Sequence, residues 1–128
     1  MNLANASIAQ VMIPVVDFDR AVAFYRDVLG LPLLFAAPPQ MAFFQCGSVR
    51  LLVGVNPSGD GGARGSSLYF RVDDIEGVHA TLRDSGVTFA VSPHVVHRTL
   101  QSVLWLAEFN DPDGNPLALM SEVPVAAG

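Results

Sequence analysis

The sequence predicts an α+β fold made of two tandem β-α-β-β-β modules. Three observations carry that prediction: an internal repeat, an amphipathic helix with matching caps in each copy, and a tight turn near the C-terminus. The repeat shows when VVDFDRAVAFYRDVLG from Val15 is laid over VDDIEGVHATLRDSG from Val72. Asp17 falls on Asp74, Asp19 on Glu76, and Arg26-Asp27 on Arg83-Asp84, all at one constant offset. Gly30 and Gly86 close the match one residue out of step.

Each copy reads as a strand running into a capped helix. Asp17 and Asp74 stand where an N-cap belongs, because a carboxylate there accepts from amides that have no partner in the first turn. Apolar residues follow at helical spacing: Phe18, Ala21, Val22, Tyr25, Val28 and Leu29 in one copy, Ile75, Val78 and Leu82 in the other. A glycine then ends each helix. The first strands are Ile8 to Val16 and Ser67 to Val72. After the first helix come Leu31 to Phe35, Met41 to Cys46 and Val49 to Val55, the last two separated by the Cys46-Gly47-Ser48 reversal. After the second come Thr88 to Val91, Val103 to Phe109 and Leu117 to Ser121. Asp111-Pro112-Asp113-Gly114-Asn115 packs five turn formers between the last two apolar runs, so it is expected to be a tight reversal.

The organisation expected is one domain over 1–128, with module one at 7–57, module two at 67–123 and a Gly/Ser linker at 58–66. The linker SGDGGARGSS does not open a helix after a strand, so a flexible connection suits it better than a phosphate cradle. A 128-residue chain buries about two thirds of its unfolded-chain surface and needs no disulfide staple. Cys46 has no second cysteine to pair with and reads as a quiet structural thiol. With no leader pattern and no apolar run of spanning length, a soluble cytoplasmic protein is expected. The net charge of -5 argues against nucleic acid and anionic membrane as partners. All seven basic residues are arginine, which excludes lysine Schiff-base chemistry and the lysine-dependent phosphate loop.

The paired modules, the FYRDVLGL motif from Phe24 to Leu31 and the NDPDGNPLALM turn together resemble the vicinal oxygen chelate superfamily. That family includes glyoxalase I, extradiol dioxygenases, methylmalonyl-CoA epimerase, fosfomycin-inactivating enzymes and bleomycin-binding resistance proteins. The resemblance implies that the strands curl into an incomplete barrel around a cavity, usually completed by a second subunit, so a homodimer is expected. Fold alone does not imply function. The metal enzymes of the family place ligands at the start of each module's first strand and on each module's last strand. Those positions here are Gln10, Leu52, Ser67 and Ala118, where His or Gln, Glu, His and Glu are usual. Only Gln10 can ligate, and one carboxamide oxygen holds a divalent ion poorly. The expectation is therefore no metal and no cofactor.

Strand alternation gives the expected cavity lining: Gln10 and Met12, Arg50 and Leu52, Ser67 and Tyr69, Leu104, Leu106 and Glu108, then Ala118, Met120 and Glu122. Glu108 lies in the otherwise apolar VLWLAEF, at a position that faces the ligand in the fosfomycin enzymes the chain resembles. It is either a ligand-contacting or acid-base carboxylate, or a rim glutamate that is solvated or paired with Arg50 or Arg98. His94, His97 and Arg98 fall in SPHVVHRT, read as a loop before the strand from Val103, where His94 or Arg98 can touch a ligand. Across a strand the two histidines would point to opposite faces. His79 reads as a helix-surface or packing residue, and Trp105, Phe43 and Phe44 as stacking surface or core. The function expected is a metal-free protein that binds a small aromatic or cationic molecule. The alternative is an enzyme, a lyase, isomerase or dioxygenase, with an atypical metal site or with Glu108 as general base.

Overall fold

A computed structural model of the chain describes residues 2–37, 40–55 and 67–125. The chain divides into two compact units, Met1–Gly62 and Ala63–Gly128. The expected linker at 58–66 lies outside the described residues. The strands form two separate four-stranded sheets, one in each unit, so the α+β class and the twofold strand-and-helix order are as the sequence predicts.

In the first unit the elements are β1 (Gln10–Val15), α1 (Phe18–Ala23), β2 (Leu33–Ala37), β3 (Met41–Cys46) and β4 (Val49–Val55). The sheet order is β1-β4-β3-β2, with β1 and β4 parallel and the other pairs antiparallel. Asp17 caps α1 by accepting from the Arg20 amide at 3.1 Å. The helix then widens into a π-helical turn over Phe24–Val28, where the Leu29 amide reaches back to the Phe24 carbonyl at 2.9 Å. One face of the sheet is the core: Ile13, Val15, Ala42, Phe44, Leu51 and Val53 are buried, as are Phe18, Ala21, Val22 and Tyr25 of the helical segment. Tyr25 and Phe44 lie with ring centroids 6.0 Å apart at its centre. Dry packing of rings this large supplies much of a small unit's stability.

In the second unit the elements are β5 (Leu68–Arg71), α2 (Ile75–Asp84), β6 (Phe89–Arg98), β7 (Ser102–Asn110) and β8 (Pro116–Pro124). The order β5-β8-β7-β6 repeats the first unit's pattern, with β5 and β8 parallel. Asp74 caps α2 through the Gly77 amide at 3.0 Å. The helix packs on β6, β7 and β8, burying Ile75, Leu82, Val87, Ala107, Phe109, Leu117 and Leu119. His79 meets Phe89 edge-on at 4.4 Å, and Phe89 meets Phe109 at 5.0 Å, so this histidine is a packing residue.

The β7–β8 turn is held by one buried carboxylate. Asp111 accepts from the Asp113 amide at 2.9 Å and the Asn115 amide at 2.8 Å through Oδ1, and from the Asn115 side-chain amide at 2.8 Å through Oδ2. Gly114 sits at φ 86°, a left-handed conformation that a side chain would strain. The turn stretch is thus architecture.

SPHVVHRT is not a loop. Ser92 to Arg98 belong to β6, an edge strand of ten residues where the sequence suggested four. An edge strand has one side free of ladder bonds, so Pro93 and its missing donor are tolerated there. Pairing with β7 slips at Phe89/Val91, Val91/His94 and Val95/His97, the irregularities that let a polar, proline-containing segment stay in the sheet.

Candidate functional site

Each sheet buries one face under its helix and leaves the other open. Residues directly opposite one another on paired strands share a face, so the registers assign every side chain. On the second unit's open face one row is Tyr69, Ala118, Glu108 and Val91. The next is Arg71, Met120, Leu106 and His94, and the last is Glu122, Leu104 and His97. The slip between Val95 and His97 puts both histidines on this face, opposite Leu106 and Leu104, and not on opposite faces as plain alternation would.

At the first row the open face holds a concavity of about 270 Å³, just below the usual range for ligand sites. Ser67, Tyr69, Val91, Glu108, Asn110 and Ala118 line it. Four sequence-predicted site residues, Ser67, Tyr69, Glu108 and Ala118, therefore meet at one place, with Leu106 and Met120 in the adjoining row. Tyr69 is 52% exposed, and Glu108 is exposed, so its carboxylate keeps its hydration and bears no burial cost. Among the described residues no hydrogen bond or ion pair reaches the Glu108 side chain. Arg71 and Glu122 form an exposed ion pair at 3.0 Å. His94 donates from Nδ1 to the Ser92 carbonyl at 3.0 Å, which leaves Nε2 as the ring's other polar atom. Trp105 and Arg98 fall elsewhere: the register puts Trp105 opposite Ser121 and Arg98 opposite Val103, on the face that carries the helix.

On the first unit's open face, Gln10 lies beside Arg50, and Met12, Leu52 and Phe43 form the next row. Arg50 Nε donates to Gln10 Oε1 at 2.8 Å. The guanidinium carbon stands 5.5 Å from the Phe43 ring centroid, and Phe43 stacks on Phe35 at 4.5 Å with 23° between planes. Phe43 and Phe44 thus divide the work that the sequence left open: Phe44 is fully buried, and Phe43 belongs to the open face. Burial pushes the Cys46 thiol up, which keeps it protonated near neutrality.

The four positions implied for a metal do not suit one. Leu52 and Ala118 have no donor atom, and Gln10 Oε1 already accepts from a guanidinium, whose charge repels a cation. Among the described residues no group of three or more His, Cys, Asp or Glu side chains could hold a metal ion.

Residues 7–119 match the family model of the Glyoxalase/Bleomycin resistance protein/Dioxygenase superfamily. The chain belongs to that family. The uncharacterized protein YraH of Bacillus subtilis (strain 168) is 29% identical over 119 residues, covering 83% of this chain and 91% of YraH. Among solved structures, lactoylglutathione lyase from Agrobacterium tumefaciens is 25% identical with a TM-score of 0.72, covering 92% of this chain and 95% of that one. TnmS3, an antibiotic binding protein from Streptomyces sp. CB03234, is 25% identical with a TM-score of 0.74, covering 94% and 99%. The family thus places an enzyme and a binding protein at equal distance from this chain. Among the described residues no helix is long and apolar enough to cross a membrane.

Proposed function

We propose that this protein binds a small aromatic or cationic molecule without a metal ion, with Glu108 as its ionic contact and Tyr69 as its stacking surface. The observation that carries this reading is the convergence of Tyr69 and an unpaired Glu108 on the 270 Å³ concavity of the second unit. A hydrated carboxylate beside an aromatic face suits a ligand that offers both a ring and a positive charge. Likeness to an antibiotic binding protein supports binding as the role. Gln10, Arg50 and Leu52 belong to the binding surface of the first unit, and the protein works as a cytoplasmic homodimer, a state that light scattering after gel filtration checks.

Calorimetric titration with N-methylquinolinium tests the site. Glu108→Gln is expected to weaken binding about three- to fivefold, the scale of an exposed ion pair, since the quaternary nitrogen has no hydrogen to donate, while His79→Ala leaves it unchanged. Equal effects of the two substitutions would remove Glu108 from the site. Stoichiometric nickel or zinc in the purified protein, measured by mass spectrometry, would overturn the metal-free reading.

Likeness to lactoylglutathione lyase favours a second reading, an enzyme in which Glu108 takes a proton from a carbon acid. Deuterium exchange into a small ketone or aldehyde, abolished by Glu108→Gln, would decide for it.

A further inference from the structure

The first unit's open face carries a charged group of the opposite sign, Arg50. Arg26 and Arg71 each pair with a carboxylate, at 2.8 Å and 3.0 Å. Arg50 does not: among the described residues the only polar partner of its guanidinium is the neutral amide oxygen of Gln10, at 2.8 Å. That bond uses Nε and fixes the plane of the guanidinium, leaving the Nη1 and Nη2 end of the fork unspent. Beside it runs the stacked pair Phe43 and Phe35, the latter 55% exposed, with Met12 at 53% exposed on the same face. In a chain of net charge -5, an arginine held by a neutral group next to an open aromatic surface is an uncompensated cation beside an apolar shelf.

We propose that the open face of β1, β4, β3 and β2 binds a planar aromatic carboxylate. The carboxylate takes the two free Nη groups of Arg50 side by side, and the ring lies against the Phe43 and Phe35 stack. Gln10 is a positioning residue: it accepts from Nε and turns the fork toward the ligand. This site lies in the first unit and does not rest on the Glu108 reading. A failure of the quinolinium experiment leaves it standing.

The probe is 1-naphthoate, titrated calorimetrically into the full chain, with neutral 1-naphthamide as the matched control. Naphthoate is expected to bind at least about tenfold more tightly than the amide, a preference that falls as salt rises. Arg50→Gln removes that preference, and Arg50→Lys, which keeps the charge without the fork, restores only part of it. Gln10→Leu weakens naphthoate about threefold and leaves the amide unchanged, a split that a general loss of packing would not produce. Equal binding of acid and amide, no naphthoate binding, or an Arg50→Gln variant that still prefers the acid would each overturn the proposal.

Discussion

The two units share a helix face and differ on the open face. Both cap their helix with an aspartate, both run parallel then antiparallel strands in the same spatial order, and both bury an aromatic against the helix. The open faces have opposite characters. The first carries Arg50 on a phenylalanine stack; the second carries Glu108 beside Tyr69. One scaffold therefore tolerates either sign of charge, because the residues that make the core and those on the open face alternate along the same strands. The edges differ as well: β2 has five residues and one slip, β6 ten residues and three.

Parallel changes in the two units sharpen the comparison. Phe44→Ala and Phe109→Ala each empty a buried ring site and are expected to cost about 3 to 5 kcal/mol, read by urea denaturation. If the units unfold as one, both variants shift a single transition. Two separated transitions would show that each unit folds on its own.

Asp111→Ala strips a buried turn of three hydrogen bonds and is expected to cost about 2 to 3 kcal/mol, an effect with no counterpart in the first unit's Cys46-Gly47-Ser48 turn. Asp17→Ala and Asp74→Ala are expected to cost about 1 kcal/mol each. Unequal losses would show that one cap does more than satisfy its amide. The smallest effect concerns Cys46, whose raised pKa predicts slower reaction with a disulfide reagent at pH 8 than a free cysteine shows.

What the sequence made legible was local. The caps, the helical periodicity and the Asp-Pro-Asp-Gly-Asn turn depend on residues within one or two turns of each other, and all of them stand where the residue types place them. The tandem organisation followed from them. The SPHVVHRT segment misled because serine, proline and histidine mark a loop locally, while the edge position that admits them is set by the rest of the sheet. The face of each histidine could not be counted from Val91, since each slip in the pairing resets the alternation. For Trp105 the residue type leaves stacking surface and core both open, and the register decides: it alternates with Leu104 and Leu106, whose face carries the candidate site. The bond between Arg50 and Gln10 joins residues 40 positions apart and needs the β1–β4 register before it can be seen.

The widened turn at Phe24–Val28 explains a small mismatch in the repeat. From the cap at Asp17 to Gly30 the chain spends one residue more than from Asp74 to Gly86. At the matching place the second helix closes with an ordinary bond, Ser85 amide to Thr81 carbonyl, whereas the first reaches one residue further back, from Leu29 to Phe24. An α-helix holds about 3.6 residues in each turn, and a surplus residue spread along it would rotate everything downstream by about 100°. Confined to a single loosened loop of backbone, the surplus leaves Tyr25 in the core and delivers the chain to β2 in phase. Shortening that loop by one residue should yield a regular helix like the second unit's, which makes the first helix a place where length can be traded without moving either sheet.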